Sequence, residues 1–265
     1  MSKIISVLLL VGIVFVSGCL GGKCKVDGIC KGEETYQNCP EDCPDCDDRD
    51  NCTLDYFDYE LQECVNGLVV GDVLFYDNFS TDENWELPDT YDTMFEMGKM
   101  VLRNSGSRDR ATPVLEYNFD KRNYIVEFSA KVDDLIGIMS ARYDLSKNYS
   151  EKYALLFGVV PKGLPEELPF QVEMLADYEG RGIVGIGKSG EVGLMTVKEV
   201  PVKKGEWHDY KVVLRGDRIE VYVDEVLYEN YTDSEPIMQN GGMVFEGLGY
   251  ESRFSVDYVR VTEIC

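Results

Sequence analysis

From residue 69 to the C-terminus, apolar and polar residues alternate in short runs separated by turn residues. In residues 124–132, Val126, Phe128, Ala130 and Val132 share one side, opposite Glu127, Ser129 and Lys131. In residues 218–224, Ile219, Val221 and Val223 oppose Glu220, Tyr222 and Asp224. A repeat of two with one polar side predicts antiparallel strands covered on one face. The same reading predicts strands over residues 73–76, 100–103, 114–119, 136–143, 153–160, 170–176, 182–187 and 192–197. It continues over 208–214, 226–231, 243–248 and 254–261. Arg215-Gly216-Asp217-Arg218 and Lys188-Ser189-Gly190-Glu191 supply hairpin turns. Amphipathic helices of ordinary length are missing from the pattern. The chain over 67–265 therefore reads as an all-β, two-sheet antiparallel sandwich.

The N-terminus has a different pattern. Lys3 precedes an apolar run over residues 4–16, and Val16-Ser17-Gly18-Cys19 closes it. The run is shorter than the ~20 residues that span a bilayer, so it reads as a secretory leader over 1–18. Its end resembles the lipobox of prokaryotic lipoproteins, which implies lipid attachment at Cys19, a short tether over 19–23 and a place outside the cytoplasm on the cell membrane. Between residues 24 and 66 apolar side chains are scarce, and ordering such a segment costs ~1.5 kcal/mol per residue that burial cannot offset. Covalent staples are expected instead. Cys24, Cys30, Cys39, Cys43, Cys46, Cys52, Cys64 and Cys265 form an even set, which an exported chain uses as disulfides whose pairing the sequence leaves open. Cys24-Lys25-Val26-Asp27-Gly28-Ile29-Cys30 with Cys39-Pro40-Glu41-Asp42-Cys43 resembles a small cysteine-rich repeat of archaeal and bacterial surface proteins.

Charge narrows the function classes. The formal net charge of −23 argues against nucleic acid, and against electrostatic docking on anionic lipid, because both require basic patches. Thirteen of the acidic residues lie in 24–64 against three basic ones. Asp45, Asp47, Asp48 and Asp50 form a hard-oxygen cluster of the kind that suits calcium, as a solvated acidic spacer would also look; Asp27, Glu33 and Asp42 are the second choice. Cofactors are otherwise not expected. Asn51, Asn78, Asn148 and Asn230 head N-x-[ST] sequons that fit exported surface loops.

Three stretches within the sandwich carry a resemblance. Tyr76-Asp77-Asn78-Phe79-Ser80 with Trp85 is similar to the opening of concanavalin A-like lectin/glucanase domains. Gly205-Glu206-Trp207-His208-Asp209-Tyr210-Lys211-Val212 followed by Gly216-Asp217-Arg218-Ile219-Glu220-Val221-Tyr222-Val223-Asp224 is similar to their paired-strand signature. Phe254-Ser255-Val256-Asp257-Tyr258-Val259-Arg260-Val261 is similar to their closing strand. The resemblance is to the laminin G-like and 3-keto-disaccharide hydrolase-like branches, and it implies a jelly roll whose first and last strands are neighbours. A Cys64–Cys265 bridge would clamp such a domain. Where the family has Gly after Tyr-Val-Asp this chain has Glu225, which predicts a different turn there.

Candidate chemistry follows from that frame. Gly182-Ile183-Val184-Gly185-Ile186-Gly187-Lys188-Ser189 fits a phosphate-loop spelling, but a phosphate loop needs a following helix and this run reads as a strand, so nucleotide binding is rejected. His208 is the only histidine, which excludes a multi-histidine metal centre, and it sits inside a strand signature rather than a triad. The family 16 glucanase relatives carry E-x-D-x-x-E on one strand, and that motif is absent here. The preferred expectation is noncatalytic recognition of a carbohydrate or glycosylated envelope polymer, with Arg142, Tyr143, Gln171, Glu173, Asp177, Tyr178 and Tyr222 as the ligand-facing set. The alternatives are a glycoside hydrolase using a carboxylate pair and a structural or protein-interaction module of the envelope.

Overall fold

A computed structural model describes residues 24–86, 93–103, 114–115, 119, 121–143, 152–162, 173–188, 193–237 and 242–265. The chain divides into two compact units, Met1–Leu68 and Val69–Cys265. No helix among the described residues is long and apolar enough to cross a membrane.

In the first unit, disulfides Cys24–Cys39 and Cys30–Cys43 tie the small repeat, and Cys46–Cys64 closes a hairpin of β1 (Thr53–Asp58) and β2 (Glu63–Leu68). The hairpin lies in the segment expected to be held by covalent staples. Pairing Cys64 with Cys46 overturns the expected Cys64–Cys265 bridge. Carboxylates replace the missing apolar core. Glu34 accepts the backbone amides of Lys25 and Lys31, while Asp42 accepts those of Asp27 and Gly28.

The second unit is almost entirely extended. Its strands are β3 (Val70–Asp77), β4 (Trp85–Glu86), β5 (Met94–Phe95), β6 (Met100–Arg103), β7 (Val114–Leu115), β8 (Tyr124–Tyr143) and β9 (Tyr153–Val159). A helical turn, α1 (Glu173–Ala176), precedes β10 (Gly182–Lys188), β11 (Gly193–Glu199), β12 (Trp207–Arg215), β13 (Arg218–Val223), β14 (Val226–Thr232) and β15 (Gly242–Ile264). All the strand pairings are antiparallel.

The long strands β8 and β15 pass through both layers. Residues 124–131 of β8 pair with β12 and with the last part of β15, forming a first sheet ordered β14-β13-β12-β8-β15-β3. Residues 136–141 pair with β9 and the first part of β15, forming a second sheet ordered β11-β10-β9-β8-β15-β7-β4. Tyr124, Val126, Phe128, Ala130 and Val132 face the shared core, and so do Met139 and Ala141. The inward phase therefore slips by one residue between 132 and 139. Such a slip is required when one strand must present core residues from two opposed layers. The sheets meet through Phe128, whose ring stacks on Tyr210 at 5.1 Å and lies 5.2 Å from Phe157 and 5.4 Å from Phe245.

The first of the family-like stretches is tied together by Asp77. Asp77 is buried, and its carboxylate accepts from the Phe79 amide, Asn84 and the Trp85 indole. β3 and β15 are neighbours, as the resemblance implied. Over its described residues the expected strand 170–176 is helical instead: Glu173–Ala176 is α1, continued by turns to Gly180. Glu, Met, Leu and Ala favour helix, and Leu175 anchors the turn in a second apolar cluster. At Glu225 the turn is formed without glycine. Asp224 and Glu225 have φ of 48° and 68°, the left-handed pair that a type I′ hairpin turn demands even without glycine.

Candidate functional site

The described members of the expected ligand-facing set do not gather on one surface. Arg142 is fully buried, and its guanidinium donates to the carbonyls of Gly216, Ile237 and Arg122. Its own amide donates to the Tyr124 hydroxyl, and burial pushes that phenol up to about 12. Arg142 is thus an internal tie, and it is removed from the ligand-facing set. The side chains of Tyr143 and Glu173 lie outside the described residues, as does Gln171. Asp177 and Tyr178 lie in the turns after α1 rather than on a strand, with Asp177 exposed. Tyr178 packs on the apolar cluster covering the second sheet and donates to the Val197 carbonyl. Among the described members, Tyr222 alone projects from an open sheet face.

The outward face of the second sheet is closed. Ile136, Ile138, Ala154, Leu156, Ile183, Leu194 and Val197 are buried there beneath Leu175 and Tyr178. On β8, β9 and β15 of this face, the one described carboxylate is Glu246, and it is paired with Lys152 at 2.6 Å. β10, which carries the phosphate-loop spelling, is a strand of this sheet, and the next described element is strand β11.

The outward face of the first sheet is open and carries aromatic and charged side chains in register. One row crosses five strands: Tyr222, Lys211, Glu127, Arg260 and Tyr76 are direct cross-strand partners in that order. A second row joins Asp209, Ser129 and Tyr258. A third joins Trp207, Lys131 and Ser255. Directly opposed residues of antiparallel strands point to the same side, so these rows form one surface. Trp207 is 37% and Tyr76 57% exposed. Lys99 and Lys131 lie over the Trp207 ring at 4.3 and 5.7 Å, and Lys211 lies 4.2 Å over Tyr222. Lys99 also meets Asp257, and Lys131 meets Asp133, so the cations are locally balanced. Burial, helped by Asp209 and Glu127, raises the Tyr258 phenol. Burial and a hydrogen bond to Glu220 raise Tyr222 to about 12. Both tyrosines are therefore neutral hydroxyl donors across the physiological range.

His208 serves the hairpin rather than chemistry. Its Nε2 accepts the Lys203 amide, which leaves the proton on Nδ1 to be donated to Asp224 at 2.8 Å. Asp224 also accepts the Asp209 amide. Burial pushes the Asp224 carboxyl up, but these hydrogen bonds outweigh it and hold the group below its ordinary value. A similar network fixes β9 and β10 to the segment after β14, where Tyr153 and Lys188 both donate to buried Asp233.

Of the four aspartates expected to favour calcium, Asp47 and Asp48 approach one another together with Asp55, with candidate ligand atoms all within 4.8 Å. Asp45 and Asp50 are not part of that group. Asp45, Asp47, Asp48 and Asp50 instead accept backbone amides two residues ahead, as turn-forming aspartates do. Asp42 is likewise occupied with amides, and Asp27 meets Lys31 at 2.5 Å. Asn51, Asn78 and Asn230 are exposed, whereas Asn148 and Cys19 lie outside the described residues.

The sequence reading missed the three rows, although each strand's polar phase contained them. Lys211 with Tyr222 was readable within the β12–β13 hairpin. Bringing Glu127, Arg260 and Tyr76 alongside depends on long-range pairing that alternation cannot specify.

No family model matches the sequence, and no curated protein matches it. Solved structures match the second unit in shape. A Bacillus subtilis protein of unknown function with a galectin-like fold superposes with a TM-score of 0.57 at 12% identity, covering 74% of this chain and 98% of that one. The catalytic domain of an endo-1,3-beta-glucanase (laminarinase) from Thermotoga petrophila gives 0.51 at 13% identity, over 73% and 98%. The endo-beta-1,3-glucanase from Pyrococcus furiosus gives 0.51 at 12% identity, over 73% and 94%. The second unit is thus a jelly-roll sandwich of galectin-like and glucanase-like shape, preceded by a disulfide-rich segment. At these identities the likeness establishes fold alone.

Proposed function

We propose that this protein is a lipid-anchored cell-surface module that recognises a carbohydrate without cleaving it. The observation that carries the reading is the open face of the first sheet, where Trp207, Tyr258, Tyr222 and Tyr76 surround matched charges. Sugar rings present apolar faces that stack on aromatics, and hydroxyls that both donate and accept. A surface with Lys211, Glu127 and Arg260 side by side offers both roles without favouring a charged ligand. The fold agrees, since sandwiches of this shape include glucanases. Binding is preferred to cleavage because retaining hydrolysis uses two carboxyls ~5 Å apart. Glu246, the carboxylate on the described central strands of the closed face, has Lys152 as its partner instead.

The anchor belongs to the same reading: leader removal before Cys19 and lipid attachment there would leave the cysteine-rich unit next to the membrane. Binding to a glycan array, compared between the intact protein and Trp207→Ala/Tyr258→Ala, tests the central part. At least a tenfold affinity loss is expected, with an unchanged melting temperature. Equal binding by both proteins would contradict it, as would release of reducing sugar.

A further inference from the structure

Residues 69–264 contain no cysteine, so the sandwich has no disulfide within that span. It does hold a buried ion pair. The Lys152 ammonium sits just before β9, and Glu246 is on β15, with β8 running between those strands. Their side chains are 8% and 5% exposed and meet at 2.6 Å. Ser140 of β8, fully buried, lies between them on the same outward face, because Ser140 is paired with Ala154 on one side and Val244 on the other. Among the described residues, neither the Ser140 hydroxyl nor the second Glu246 oxygen has a hydrogen-bond partner.

A buried ion pair is stable only when further hydrogen bonds satisfy both ions, since desolvation otherwise rivals the attraction. Glu246 lacks that support at one oxygen. Condensation of such a pair requires one proton to pass from the Lys152 nitrogen to a Glu246 oxygen, and the two atoms already lie 2.6 Å apart. We propose that these two side chains condense into an isopeptide bond. Lys152 Nζ attacks Glu246 Cδ, and a carbon–nitrogen bond forms. The nitrogen gives up a second proton to the departing oxygen, and one water leaves as the carbon–oxygen bond breaks. The three ammonium hydrogens are then accounted for: two in the water and one on the amide. No oxidant, metal or outside reactant takes part. The product has no charge to desolvate, and it closes a covalent loop between residues 152 and 246, which restricts the unfolded chain.

The test is the intact mass of the mature protein after full reduction and alkylation. The expected mass is lower by one water than the sequence requires, with a branched peptide joining residues 152 and 246 after digestion. Glu246→Gln should still close, losing ammonia instead. Lys152→Arg should stay open and show slower gel mobility under reducing, denaturing conditions. A folded wild-type protein carrying its full uncondensed mass would overturn the proposal, as would a mass loss that persists in Lys152→Arg. Because wild type alone decides the first comparison, a variant that fails to fold does not obscure the result.

Discussion

At the scale of single residues, one strained position of the β13–β14 turn is held by its neighbours and the next is not. Asp224 and Glu225 both occupy the left-handed region, where L residues cost ~1 kcal/mol or more each. Asp224 is held there by His208 and the Asp209 amide. Glu225 is exposed, and among the described residues no hydrogen bond or ion pair holds its side chain. Glu225→Gly should therefore stabilise the protein by about 0.5–1 kcal/mol in urea unfolding. A neutral or destabilising result would mean that the turn is not of type I′. The opposite logic governs Gly137, where an added Cβ would come within 2.5 Å of the Phe157 ring. Phe157 is central to the packing of Phe128, Tyr210 and Phe254, so it has nowhere to move. Gly137→Ala should cost about 1–3 kcal/mol by overpacking, read as a lowered urea midpoint.

At the scale of elements, hairpins were legible and long-range pairings were not. β12 and β13 follow directly from alternation and from Gly216, because a strand with one wet face must repeat every two residues. The same rule fails at β8 and β15. Each reads as two strands, yet each is one strand that shifts phase where it passes from layer to layer. Ile136 and Ile138 illustrate the consequence, since their side chains face away from the core that Val132 enters. The residues of α1 looked extended because a single helical turn is too short to display a 3.6-residue period. Disulfide pairing was not legible at all, since spacing does not determine which cysteines meet. Arg142 was misassigned for a related reason. Its position at a strand end suggested exposure, but a φ of 52° turns the chain so that the guanidinium reaches three internal carbonyls.

At the scale of the whole molecule, charge sets the response to pH. Asp224 and Asp233 have folded-state carboxyls held below the ordinary value of 3.8; burial opposes this, but hydrogen bonds from His208, and from Lys188 with Tyr153, prevail. Groups lowered on folding contribute stability that is complete above the unfolded value and lost as the pH falls through the folded one. The urea midpoint should therefore decline below about pH 4, and Asp233→Asn should flatten that decline. An unchanged acid limb in Asp233→Asn would contradict the role given to this carboxylate. Tyr124, raised from 10.0 to about 12, acts in the other direction: its contribution is intact below pH 10 and disappears as the pH rises toward 12.

Function at this scale depends on which face of the sandwich is free. The second sheet is covered by its own apolar cluster, and the first presents three rows of paired side chains. NMR mapping of the labelled protein, titrated with a glycan that it retains on an array, tests this most directly. The expected result is that perturbations concentrate on the Trp207 indole and on Lys211, Tyr258 and Tyr76. Perturbations confined to β9 and β10 would contradict it.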